Sequence, residues 1–237
     1  MADRFFTSDL STATATLSGP EAHHALHVLR LIVGDDIRLF DGAGTTVTGV
    51  VESAGRRDVE VTIKTRSFAE RRAEGRVIVA AAPPKGDRLK WMVEKLTELG
   101  VDEYIPLRTH RSVVDAAKWK PDKLQATIIA AAKQCARDWL MDIAEPIEFA
   151  ALISDVQPGH SLHIAHPYAV TSQQQSAALG SAHSHMVLIG PEGGFTDDEV
   201  ELAVSAAAAP LEWPGTILRV ETAAIMAAVM LRNLSVS

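Results

Sequence analysis

Two segments combine residue types and spacing suited to holding a small ligand. Ile189–Val200, IGPEGGFTDDEV, runs from an apolar stretch to a helix start through Gly190, Pro191, Glu192, Gly193 and Gly194. Glycines let the main chain approach a ligand closely and adopt positive φ, while Pro191 narrows the conformations the loop samples. Thr196 followed three residues later by Glu199 has the pattern of a capping box, which sets a helix start there. Ile217–Ala223, ILRVETA, repeats the plan: an apolar run, read as a strand, delivers Arg219, Glu221 and Thr222 to another helix start. Both segments also admit plainer readings. The glycines would serve a tight turn, and Glu221 would favour a helix amino end even with no ligand nearby.

The elements that must position these segments alternate. Strands are predicted over 77–82, 103–107, 161–165 and 185–189, and helices over 87–99, 121–137, 196–208 and 221–234. That rhythm implies a largely parallel sheet with helices on both faces, an α/β arrangement whose ligands meet the carboxyl ends of the strands. The amino-terminal 70 residues read differently, as strands over 36–40, 46–51 and 58–64. Asp41-Gly-Ala-Gly reads as a hairpin connection, and one helix spans Gly19–Leu31. The expectation is a small β-barrel over 1–72, a charged linker within 69–76, and a second domain over 73–237. The run Ala206–Ala209 reads as the end of a helix.

At 237 residues, with 47% hydrophobic and 22% charged residues, the chain has the composition of a folded globular protein. No apolar stretch reaches the roughly 18 residues a membrane helix needs, and the start lacks a signal-peptide pattern, so the expected location is the cytoplasm. Cys135 is the single cysteine, which excludes an intrachain disulfide. His23 and His27 have metal-ligand spacing without a third ligand; His160, His163 and His166 lie on a loop-strand segment where successive side chains diverge, so no metal is expected. The net charge of −7 opposes indiscriminate nucleic-acid binding, yet residues 76–140 hold 12 Lys/Arg against 8 Asp/Glu, whereas residues 141–237 hold 2 against 11. The middle of the chain therefore permits a basic face.

Five motifs in order, HHALHVLR at 23–30, EKLTELGV at 94–101, AAKQCAR at 131–137, GPEGGFTDDE at 190–199 and LRVETA at 218–223, make the chain resemble the ribosomal RNA small subunit methyltransferase E family. The resemblance spans nearly the whole chain. It implies a SPOUT-class α/β methyltransferase domain with a carboxy-terminal trefoil knot, preceded by a PUA-like RNA-binding barrel. The knot runs against the general rule that chains do not thread and is implied by the resemblance alone. Also implied are a homodimer and methylation of uridine N3 in 16S ribosomal RNA from S-adenosylmethionine. The alternatives are an RNA-binding ribosome-assembly factor that has lost catalysis, and a dehydrogenase, for which the GxGxxG fingerprint is missing.

Carried over by position, the cofactor loops are Ala165, His166 and Pro167; Gly190, Pro191, Glu192, Gly193 and Gly194; and Ile217, Leu218, Arg219, Glu221, Thr222 and Ala223. The candidates for RNA are Arg4, Arg30, Arg111, Gln134 and Arg137. Lys133 stands where the family commonly has Glu, and Asp138-Trp139 replaces a more usual polar stretch. Uridine N3 must lose a proton, so Arg219 or Arg137 is assigned to the developing anion and Glu221 to orienting its loop. No residue identifies itself as the general base.

Overall fold

Strands with two apolar faces and strands with one sort into separate sheets. A computed structural model of the chain describes residues 3–112, 119–156, 159–166, 184–213 and 215–234. Residues divide into two compact units, Met1–Arg71 with Ile129–Leu140, and Arg72–Ile128 with Met141–Ser237.

The first unit carries a five-stranded, curled half-barrel sheet in the order β1 (Arg4–Phe6), β3 (Asp36–Phe40), β4 (Thr45–Ala54), β5 (Asp58–Phe68), β2 (Thr14–Ser18). Its strands alternate: Ala15 and Leu17 on β2, and Val59 and Val61 on β5, point to a core shared with Phe5, Ile37 and Leu39. Asp41–Gly44 makes the expected hairpin connection. The expected helix over 19–31 is instead a short helix α1 (Gly19–His23) continued by one π-helical turn, His24–Val28, and ended by Arg30 at φ 58°. Over so few residues the apolar spacing of Ala22, Ala25, Leu26 and Leu29 suits either winding, so periodicity alone cannot separate them.

The second unit is a parallel sheet in the order β12 (Ala209–Leu211), β10 (His160–Ala165), β11 (Ser184–Ile189), β6 (Arg76–Ala81), β7 (Glu103–Arg108), β8 (Asp142–Ile143), with β9 (Ile147–Glu148) also on β7. On one face Ile78, Leu107, Leu162, Ile164 and Leu188 pack with Phe149 and Leu152 of α4 (Phe149–Asp155), and with Ala203 of α5 (Asp197–Ser205). On the other, α6 (Val220–Leu234) packs on β6 and β11 and beside α2 (Asp87–Glu98). Small side chains on α6, Ala224, Ala227 and Ala228, let it approach closely. Arg232 fixes its end by reaching Asp102 Oδ2 at 3.3 Å, the oxygen that also accepts from Val77 N at 2.9 Å.

Three expected boundaries shift. α3 (Pro121–Cys135) stops before Arg137 because Ala136 turns left-handed at φ 59°. α5 stops at Ser205, earlier than Ala208; as expected the alanine run ends the helix, with Ala206 as its cap and Ala207 left-handed at φ 60°, and its last residue, Ala209, opens β12. Ile217–Arg219 is irregular rather than a strand, and Ile217 is 82% exposed; a short apolar run records burial or ligand contact without fixing the backbone.

Buried in β10 and β11, His163 and His185 lie with ring centroids 5.9 Å apart, and His163 Nε2 meets Ser161 Oγ at 3.0 Å. Burial, and secondarily His185, lowers His163 to about 4. An unfolded histidine titrates near 6.5, so between these values the unfolded chain binds the extra proton. Stability is therefore expected to be full above about pH 6.5 and to fall by up to about 3 kcal/mol as pH drops towards 4. Urea denaturation at pH 7.5, 5.5 and 4.5 checks this, and His163→Gln is expected to flatten the decline.

Candidate functional site

The parallel strands end together, and the loops leaving them make the site. After β11 the chain passes Gly190, turns with Gly194 N donating to Pro191 O at 2.8 Å, and enters α5 through the expected capping box. Thr196 Oγ1 accepts from Glu199 N at 3.3 Å, while Glu199 Oε2 accepts from Thr196 N at 2.8 Å. The other Glu199 oxygen accepts from His110 N at 2.8 Å, and Arg111 Nη1 donates to Gly193 O at 2.8 Å and Phe195 O at 3.1 Å. The turn after β7 thus braces the glycine loop. Beneath it Phe195 is buried against Phe149, ring centroids 5.3 Å apart.

A cleft of about 560 Å³ opens between this loop, Ala165–His166 at the end of β10, Leu211–Trp213 at the end of β12, and Gly215–Val220 leading into α6. Its size falls in the ordinary range for small-molecule sites, and Ile189, Leu211 and Ala223 give it an apolar floor. Burial lowers His166 below the ordinary imidazole range, opposed by the nearby Asp197 carboxylate. Glu192 and Glu212 offset Arg111 and Arg219 along the walls. That balance suits a zwitterionic or cationic ligand better than a polyphosphate.

A second cleft of about 600 Å³ shares Ile217–Arg219 and is completed by Asp87, Arg88, Trp91, Glu221 and Thr222. Arg88, in the first turn of α2, bridges the two sequence motifs: its Nη2 lies 3.3 Å from Glu192 Oε1 and its Nη1 lies 3.7 Å from Glu221 Oε1. Glu221 is 6% exposed, and its Oε2 is buried without a hydrogen-bond partner, an acceptor that a ligand donor would satisfy. Sequence reasoning missed Arg88, and missed Leu211, Glu212 and Trp213 because β12 is only three residues long.

Of the residues assigned to the cofactor, Ala165, His166, Gly190–Gly194, Ile217–Arg219 and Ala223 converge on the first cleft. Glu221 and Thr222 line the second, and Pro167 lies outside the described residues. Among the RNA candidates, Arg4 is engaged internally: it pairs with Asp138 and lies 4.0 Å over the Phe40 ring. Arg30 and Gln134 are exposed and Arg137 is half-buried, all in the first unit. Arg111 braces the glycine loop. Among the described residues no group of three or more His, Cys, Asp or Glu is placed to hold a metal ion.

The RNA methyltransferase domain family matches residues 71–232, and the RNA methyltransferase PUA domain family matches residues 17–64. The ribosomal RNA small subunit methyltransferase E of Bacillus subtilis is 30% identical over 224 residues, covering 90% of this chain and 88% of the relative. The crystal structure of a probable rRNA-methyltransferase from Porphyromonas gingivalis superposes with TM-score 0.86 at 30% identity, covering 99% of this chain and 98% of that one. The same score and coverage hold, at 24% identity, for a ribosomal RNA small subunit methyltransferase E from Neisseria gonorrhoeae solved bound to S-adenosylmethionine.

The glycines of the loop differ in what they tolerate. A Cβ at Gly190 would lie 3.2 Å from both Phe195 Cδ2 and Phe195 N, whereas at Gly193 the nearest atom, Arg111 Cδ, is at 3.4 Å and φ is ordinary. Gly190→Ala is therefore expected to cost about 1–3 kcal/mol and Gly193→Ala less than about 0.5 kcal/mol. Urea midpoints of the two variants check the contrast.

Proposed function

Because the chain belongs to the ribosomal RNA small subunit methyltransferase E family, we propose that it methylates N3 of a uridine in 16S ribosomal RNA, using S-adenosylmethionine. The observation that carries this reading is the convergence of three strand-end loops and the start of α6 on one cleft walled by glycine main chain. In this reading residues 1–72 form the RNA-binding PUA-like domain and residues 73–237 the SPOUT methyltransferase domain with its trefoil knot. The enzyme acts as a cytoplasmic homodimer on the RNA or the small ribosomal subunit. Exposed Trp91 on α2, with Met226 and Val229 on the adjoining α6, supports a homodimer, since such apolar side chains favour association.

The first cleft fits the cofactor on its own chemistry. Among the described residues a Cβ at Gly193 would meet only Arg111, at an ordinary 3.4 Å, the floor is apolar, and Glu192 and Glu212 suit a positive centre. S-adenosylmethionine supplies there a methyl group activated by its sulfonium. Ala165, His166, Gly190–Gly194 and Ile217–Leu218 would hold it through main-chain groups. Arg219 stands where the two clefts meet, placed to stabilise the negative charge that uridine gains as N3 loses its proton. Glu221, clamped to Arg88, orients the segment that carries Arg219. Relatives named as methyltransferases over 90% or more of the chain support a catalytic role over that of an assembly factor.

Nucleoside mass spectrometry of small-subunit RNA, after incubation with the protein and methyl-labelled cofactor, is expected to find label on uridine N3; label on another base or on ribose overturns the specificity. The Arg219→Ala, Arg137→Ala double variant is expected to lower turnover roughly 100-fold or more, as loss of a transition-state donor does. Methylation near the wild-type rate would sink the electrostatic role.

A further inference from the structure

Near the end of β5 an aromatic pair stands out from the half-barrel core. Phe68 is 62% exposed, and its ring meets Trp139 edge-on, centroids 6.1 Å apart at 78°. The Arg71 guanidinium lies over the Trp139 ring at 5.2 Å. All three belong to the first unit. The indole is fixed rather than loosely placed: Nε1 donates to Ala69 O at 2.8 Å, and residues on either side bond to the hairpin loop, Gly44 N to Asp138 O at 3.2 Å and Leu140 N to Gly42 O at 2.9 Å. Gly44 is at φ 96°, and a Cβ there would lie 2.8 Å from the indole. Gly44 thus makes room for Trp139, which in turn supports Phe68 and Arg71.

An exposed phenyl ring braced on a fixed indole that also carries a guanidinium has the chemistry that binds an unpaired nucleobase: the ring offers a π-face, and arginine stacks on a base or reaches phosphate. We propose that Phe68, Arg71 and Trp139 form a stacking platform for a single-stranded stretch of the RNA substrate. The inference rests on the RNA methyltransferase reading and adds to it a contact outside the cofactor and catalytic residues. The occupant is RNA rather than protein because the platform couples an exposed aromatic ring to a cation through Trp139, and because Phe68 ends β5, a strand of the sheet whose residues 17–64 match the RNA methyltransferase PUA domain family.

Phe68→Leu keeps apolar area and removes the ring; Phe68→Tyr restores it. Binding of a single-stranded oligouridine is expected to weaken roughly tenfold in Phe68→Leu and to stay within about twofold of wild type in Phe68→Tyr, the range set by stacking of one base. KM for small-subunit RNA should rise in parallel with kcat unchanged, S-adenosylmethionine affinity unaltered and the melting temperature preserved. Oligouridine should also quench tryptophan fluorescence, and Trp139→Phe should remove that quench. Wild-type oligouridine affinity and KM in Phe68→Leu overturn the platform while the wild-type enzyme still methylates. Loss of binding to RNase-treated subunit proteins with RNA affinity intact assigns the surface to protein and overturns it equally. A wild-type chain that methylates no ribosomal RNA defeats the functional reading itself, and the oligouridine arm then decides the platform separately.

Discussion

One register row across the parallel sheet sets where every loop of the cofactor site begins. Leu211 pairs with Ala165, Ala165 with Ile189, Ile189 with Ala81, and Ala81 with Pro106. Because parallel strands run in one direction, this shared row brings their carboxyl ends out side by side, and the residues just beyond it, His166, Gly190 and Glu212, reach the same cleft. Shifting one strand by a residue would turn its buried side chains to the other face, so hydrophobic burial of β10, β11 and β6 on both sides enforces the row. The precision of the site is thus derived from the core.

Beyond that row, charge does the holding. The glycine loop has few side chains of its own to fix it, and its shape depends on Arg111, Glu199 and Arg88. Arg111 and Glu199 act through hydrogen bonds to main chain, while the partly exposed Arg88–Glu192 ion pair contributes at most about 1 kcal/mol to stability, so its value lies in geometry. The buried Glu221 carboxylate goes further: desolvating it costs free energy that a pair at 3.7 Å offsets only in part, and one oxygen stays unpartnered. A residue kept at that cost beside the cofactor loops fits a role in setting the loop rather than in strengthening the fold.

What could be read from the sequence follows from the range of the interactions involved. Continuous apolar runs reveal β6, β7, β10 and β11 because those strands are buried on both faces, and Thr196 with Glu199 reveals the start of α5 because a capping box is local. β12 and the π-helical turn escape because three to five residues carry too little pattern. Arg4 looks like an RNA ligand until Asp138 and Phe40 are brought to it, and Arg88 looks like a surface residue until two distant glutamates meet it. In each case the partner lies far along the chain, where composition and periodicity have no reach.

The same distant pairing changes the meaning of the charge distribution. The excess of basic residues over 76–140 permits a basic face, yet many of those cations face carboxylates. Arg76 lies near Glu103 and Asp142, Lys95 near Glu94 and Glu98, Arg108 near Glu148, and Lys133 2.8 Å from Glu21. Cations paired in this way are poorly placed to neutralise phosphates. Each cation withdrawn in this way is one fewer to neutralise a phosphate, and binding that neutralises fewer phosphates depends less on salt than that of a polycationic binder. Specific contacts have to carry more of the binding. Exposed aromatic surface and a small number of arginines can do so, since stacking needs no net charge and fixes a base where simple attraction to the backbone would let the strand slide.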